Sequence, residues 1–239
     1  MNSGWRTLGA SVIAGLFALA VSAHAWPQSP ADGDDFQVAL LGTGSPPPVM
    51  NRFGPGVLVQ AGGQTLLIDC GRGVTQRLFQ LGVKLGTANK LFITHLHSDH
   101  IVGIPDLWLT GWLETPFAQR KGAFQVFGPA GTRNMMESLE KAYEWDIRTR
   151  IADQKLANEN IAVSVTEIKE GVVYDRDGVK VTAFEVDHGD LIKPAFGFRI
   201  DYGGRSAVVS GDTRFRENLI RHATGTELLI HSVAAVLLE

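Results

Sequence analysis

The segment Thr94-His95-Leu96-His97-Ser98-Asp99-His100 constrains this chain more than any other stretch. It follows an apolar, strand-like run from Lys90 to Thr94 and precedes a helix start at Gly103-Ile104-Pro105. On an extended backbone His95 and His97, two positions apart, point the same way. Asp99 and His100 fall at the turn into the helix and face a second point in space. Two donor groups of this kind suggest two metal ions. The chain has a single cysteine, Cys70, which excludes an intramolecular disulfide and a multi-cysteine zinc knuckle. Imidazole and carboxylate together favour Zn²⁺, with Mn²⁺ and Fe as the other ions such donors accept.

The scaffold around this segment reads as α/β. Runs of strand length and character occur at Phe36 to Leu41, Gly56 to Gln60, Thr65 to Asp69, Lys90 to Thr94, Phe124 to Phe127, Ile161 to Ile168, Val179 to Val186, Ala195 to Asp201, Ser206 to Ser210 and Glu227 to Ile230. Helical stretches over Val74 to Leu81, Ile104 to Trp112, Thr132 to Tyr143 and Arg216 to His222 alternate with them. No internal repeat interrupts the pattern, so one layered domain with mixed sheets is expected over residues 36–239.

Residues 1–25 read as a secretory signal peptide: Arg6 precedes the 14-residue apolar run Leu8 to Val21, and Ala23-His24-Ala25 presents small residues before Trp26. A membrane span needs ~20 such residues. No membrane attachment is therefore expected after cleavage. Residues 26–35, with two prolines, one glycine and three acids, read as a linker. The formal charge of −3 becomes −4 once Arg6 is lost with the leader. No general basic field for nucleic acid exists. The mature chain is expected in the periplasm or outside the cell.

The histidine motif resembles the first metal motif of the metallo-β-lactamase superfamily, and further motifs follow in that family's order. They are Leu41-Gly42-Thr43-Gly44-Ser45, Asp69-Cys70-Gly71, Val186-Asp187-His188-Gly189, Ser210-Gly211-Asp212-Thr213 and Leu228-Leu229-Ile230-His231. The combination is similar to the branch that contains ribonuclease Z and exported arylsulfatase-like and phosphodiesterase-like hydrolases. The resemblance implies an αββα sandwich with the metals at one sheet edge. It implies a first metal on His95, His97 and His188, a second on Asp99 and His100, and Asp212 bridging them. His231 falls at the position of a proton-donating histidine, and Asp99 shares the catalytic centre. The implied enzyme is an exported zinc-dependent hydrolase in which a metal-bound hydroxide cleaves a small anionic phosphodiester or sulfate ester. Asp69 is read either as an orienting group behind a ligand histidine or as a plain strand-terminal acid.

Departures from the family pattern shape the alternatives. A bridging Asp212 argues against a β-lactamase. The 24 positions from His188 to Asp212 leave no room for the tRNA-gripping arm of ribonuclease Z, so a nucleic-acid substrate is not expected, although a ribonuclease Z-type endonuclease stays as an alternative. The family's further histidine beyond His231 has no counterpart before Glu239, and Ser232 stands where an acidic residue is usual. The second metal is therefore expected to bind more weakly, or to be completed by water or by a partner chain, as in a homodimer. A metal-binding but inactive relative is the remaining alternative. Gly42-Thr43-Gly44 lacks the third glycine of a dinucleotide fingerprint, since position 47 is Pro. Cys70 is expected to be small and buried, Trp108 and Trp112 to pack in the core, and Arg214, Arg216 and Arg221 to form a solvated helix face. His222 receives no role.

Overall fold

The computed structural model describes residues 35–233. The leader over residues 1–25, nearly all of the linker and the apolar run at 234–238 lie outside the described residues. Among the described residues no helix is long and apolar enough to cross a membrane.

Two sheets face one another. The first runs in the order β1 (Phe36–Gly42), β2 (Gly56–Ala61), β3 (Gln64–Ile68), β4 (Lys90–Phe92), β5 (Phe124–Gly128), β6 (Val163–Glu167). Its first three strands are antiparallel, and β3 through β6 are parallel. The second sheet runs β11 (Leu228–Ile230), β10 (Arg205–Val209), β9 (Phe196–Tyr202), β8 (Val179–Glu185), β7 (Gly171–Arg176). Only its β10–β11 pair is parallel. Both sheets are mixed, as expected.

Period-two alternation assigns each strand residue to a layer. Val57, Val59, Leu66, Ile68, Phe92 and Phe127 point inward against Tyr174, Val181, Phe198 and Ile200 of the second sheet. Leu58, Leu67, Leu91 and Val126 point outward against α1 (Val74–Gln80), α3 (Ile104–Trp112) and α4 (Thr132–Ala142). On the far side α7 (Glu217–Ala223) lays Leu219 against Phe184, Val186 and Val208. The order is thus helices, sheet, sheet, helix, the αββα sandwich. Burial of these apolar layers favours the fold by about 25 cal/mol per Å² of apolar surface removed from water.

Trp108 and Trp112 are core residues, and their indole N–H groups donate to the Ile161 and Ala157 carbonyls at 2.8 and 3.0 Å. Those bonds explain one departure from expectation. The strand expected over Ile161 to Ile168 divides into a short helix α6 (Asn158–Ile161) and β6, because Ile161 is buried beside Trp108 rather than paired in the sheet. Two further elements, with only a few apolar residues set among exposed ones, are not among the expected runs. β7 is an edge strand with mostly exposed or half-exposed residues, and α5 (Glu144–Gln154) has no buried residue.

Candidate metal centre

The expected ligands other than Asp99 and His100, together with Asp69, lie just beyond the C-terminal ends of strands, at one edge of the sandwich. Asp69 follows β3, His95 and His97 follow β4, His188 follows β8 and Asp212 follows β10. The two sheets are joined there by Phe196 N–H donating to the Thr94 carbonyl at 2.9 Å. Asp99 and His100 occupy α2 (Ser98–Ile101), a single turn rather than a bare bend. That turn is pinned from below: Cys70 N–H donates to the His100 carbonyl at 2.8 Å, and Gly103 N–H donates to the Cys70 carbonyl at 2.9 Å. Gly71 permits this close approach, since a Cβ there would stand 2.4 Å from the Asp99 carbonyl oxygen. Cys70 is buried, and burial foremost, then Asp106 and Asp69, pushes its thiol pKa up. It packs as expected and is no nucleophile.

His97 Nδ1 lies 3.0 Å from His95 Nε2 and 3.1 Å from His188 Nε2. One Nδ1 carries at most one proton, so it cannot satisfy both neighbours by hydrogen bonding. A shared cation can: Zn–N bonds of about 2.0–2.1 Å in tetrahedral geometry put ligand nitrogens about 3.3 Å apart. His95, His100 and Asp212 form a second set of donor atoms mutually within 4.8 Å. In it His100 Nε2 is buried and makes no hydrogen bond, with the Asp212 carboxylate 3.5 Å away and the Asp99 carboxylate 3.9 Å away. A buried nitrogen without a partner costs roughly 1–3 kcal/mol unless something takes its lone pair. His95 Nε2 is common to both sets; with it committed to the first, the residues fit two metal ions if Asp99 joins His100 and Asp212 at the second. Asp212 faces both sets, since its Oδ2 is also 3.9 Å from His188 Nε2.

Proton bookkeeping fixes which nitrogens are free. Asp69 accepts from the Thr94 amide and the Thr94 hydroxyl, both at 2.8 Å, and from His100 Nδ1 at 2.7 Å. The Thr94 hydroxyl has thereby spent its proton, so its contact at 3.0 Å with His95 Nδ1 requires that nitrogen to donate. In their neutral forms His95 and His100 both present an Nε2 lone pair to the two donor sets. Asp69 is thus the orienting group of both. It is held in a left-handed backbone conformation, φ 59°, which Asp tolerates better than most side chains. Burial, then the His100 charge, pushes the His95 pKa down to about 3. Burial alone would lower His100 too; the Asp69 and Asp212 carboxylates outweigh it and push the group up to about 10. The contact with His100 in turn holds Asp212 well below the usual carboxylate range.

His231 follows β11 at the same edge, exposed, with Nδ1 2.9 Å from the Ser210 hydroxyl. Ser232, where the family pattern has an acid, donates its backbone N–H to the Ser210 hydroxyl at 3.2 Å. The basic trio departs from expectation. Only Arg221 lies within α7; Arg216 caps it, and Arg214 precedes it. The Arg214 guanidinium lies across Gly189, 3.5 Å from where a Cβ would stand, because its backbone N–H is tied to the Asp187 carbonyl at 2.7 Å. Arg214 is therefore a rim residue beside His188. His222 stacks on Phe184, ring centroids 4.6 Å apart, and is structural. Thr94 and Ser210 are site residues that sequence alone does not mark, since hydroxyls at strand ends carry no spacing signal.

The family described as "Anti-Pycsar protein Apyc1" matches residues 36–236. Ribonuclease Z of Mycobacterium marinum is 43% identical over 197 residues, covering 82% of this chain and 70% of that protein. Among solved structures, the metallo-β-lactamase fold protein YhfI of Bacillus subtilis superposes with a TM-score of 0.63 at 19% identity, covering 81% of this chain and 70% of that one. The short form of human tRNase Z gives a TM-score of 0.63 at 24% identity, covering 80% and 75%.

Proposed function

We propose, from the premise that the chain belongs to the metallo-β-lactamase superfamily, to its ribonuclease Z branch of metal-dependent hydrolases and to the Apyc1 family, that it is a two-metal phosphodiesterase. The observation that carries this reading is the carboxylate of Asp212 between two imidazole sets, 3.5 Å from His100 Nε2 and 3.9 Å from His188 Nε2. Two bound Zn²⁺ ions would supply a water of lowered pKa and offset charge on the phosphoryl oxygens. His95, His97 and His188 would hold the first ion, His100, Asp99 and Asp212 the second, with Asp212 shared. Asp69 keeps two of these rings in the tautomer that presents Nε2. His231 serves as proton donor to the leaving oxygen.

The substrate is a phosphodiester rather than a sulfate ester, on the strength of relatives named for an RNA-cleaving activity. That name favours RNA, against the expectation drawn from charge. The segment from 189 to 211 holds only a loop and the β9–β10 hairpin, which favours a substrate gripped without an arm. The leader-like residues 1–25 support export. The test is turnover by the zinc-loaded protein of bis-p-nitrophenyl phosphate, an aryl sulfate, a chromogenic cephalosporin and a precursor tRNA. Diester turnover that disappears in Asp212→Ala is the expected result. Cephalosporin or sulfate cleavage without diester turnover, or no turnover at all, would overturn the reading.

A further inference from the structure

The partner that a proton-donating histidine needs on its other ring nitrogen is, in this chain, a serine. Ser210 is fully buried at the end of β10, two residues before Asp212. Its hydroxyl oxygen has three polar neighbours: the Gly211 carbonyl at 2.6 Å, His231 Nδ1 at 2.9 Å and the Ser232 amide at 3.2 Å. A hydroxyl has one proton to give and two lone pairs. Two oxygens 2.6 Å apart need that proton between them, so the hydroxyl donates to Gly211. The Ser232 amide can only donate. The remaining lone pair must then be met by a proton on His231 Nδ1.

We propose that Ser210 is a positioning residue for His231: it holds the ring with Nδ1 protonated, so that Nε2 is the nitrogen that carries and delivers the proton. The proposal rests on the phosphodiesterase reading above. In the step it serves, the oxygen of one water forms the new bond to phosphorus. The bond from phosphorus to the leaving oxygen breaks with its electron pair on that oxygen, which takes the Nε2 proton. His231 is left neutral with Nδ1–H still donated to Ser210, and the proton released by the water restores the imidazolium. Ser210 does in this chain what a carboxylate would do for a histidine elsewhere, without adding a second negative charge beside Asp212. Its backbone supports the geometry, since Ser210 N–H donates to the Ile230 carbonyl at 2.9 Å and so locks the end of β10 to the residue before His231.

Two measurements test this. In ¹⁵N-labelled, zinc-loaded protein, with the His231 signals assigned by loss in His231→Gln, long-range nitrogen–proton spectra of the neutral ring should show the proton on Nδ1 and the lone pair on Nε2. A neutral His231 with its proton on Nε2 overturns the proposal, and this readout needs no change at Ser210. In the second, Ser210→Ala should lower turnover of a dinucleoside phosphate, whose leaving oxygen is a poor alkoxide, about ten- to a hundredfold more than turnover of bis-p-nitrophenyl phosphate, which leaves with little help. The same pattern is expected of His231→Ala, with the double variant no worse than the single one. Equal losses on the two diesters would overturn the proposal. Absence of diester turnover by the unsubstituted protein would instead sink the phosphodiesterase reading, and the ring spectrum would still decide the Ser210 geometry.

Discussion

Asp69 Oδ2 accepts a hydrogen bond from His100 Nδ1 at 2.7 Å, and through this contact a residue that touches no metal set directly decides which nitrogen of a ligand ring is free. The same oxygen takes the Thr94 hydroxyl, which extends its control to His95.

Asp69→Asn should therefore weaken both sites at once. The amide can accept from only one oxygen, so either the Thr94 amide or the hydroxyl–His100 pair loses its acceptor. Zinc affinity should fall about 10- to 100-fold at each step, as measured by calorimetric titration of metal-free protein. Unchanged affinity in a folded variant would remove Asp69 from the site.

Zinc binding should release protons near neutral pH. His100, pushed up to about 10, carries a proton on Nε2 in metal-free protein at pH 7–8, and that proton must leave before the nitrogen can bind a cation. Affinity should rise with pH across that range. Titrations in buffers of different ionisation enthalpy should give apparent enthalpies that differ in proportion. Identical enthalpies would contradict the charge state of His100.

Metal-free protein should be most stable near pH 6–7. The raised pKa of His100 contributes stability that is fully present below its unfolded value of 6.5 and is lost as pH rises toward about 10. The depressed pKa of His95 works the other way, contributing stability above 6.5 that is lost as pH falls toward about 3. Urea unfolding across pH 4–10 should show a maximum between the two. Loading with zinc should flatten the alkaline limb, since the proton has already gone.

Gly211→Ala should destabilise the fold by roughly 1–3 kcal/mol and displace Asp212. Gly211 has φ +61°, and a Cβ there would stand 2.8 Å from the Phe196 carbonyl oxygen and 3.0 Å from Thr94 Cβ. Thermal unfolding reads the first effect; the second should appear as loss of the weaker zinc step with the tighter one retained. A variant as stable as the parent, with both steps intact, would show that this turn has more room than the geometry allows.

The two zinc steps should themselves be unequal. Three imidazoles converge on the first position; once His95 Nε2 is committed to it, the second is left with His100 and the Asp212 and Asp99 carboxylates among the described residues. Nitrogen donors hold zinc more selectively than carboxylates do. Activity should appear only with the second equivalent, and simultaneous loading at equal affinity would show a ligand contributed from elsewhere.

Most strands and the α/β organisation were legible in the linear chain because each rests on local pattern. Short continuous apolar runs mark β3 and β4, which are buried on both faces, and the dense His95 to His100 segment carries its own chemistry. The order of motifs along the family extended that reading to His188, Asp212 and His231. β7 and α5, whose few apolar residues sit among exposed positions, escaped it because such positions place few demands on side chains. Only the tertiary structure decided which protons sit where. Asp69, Thr94 and His100 are separated by up to 31 positions, and Ser210 and His231 by 21, so their hydrogen bonds exist only once β3, β4, β10 and β11 end at one edge of the sandwich. A hydroxyl has no spacing rule to betray it in sequence, and its donor or acceptor role is set wholly by the neighbours that folding brings within 3 Å.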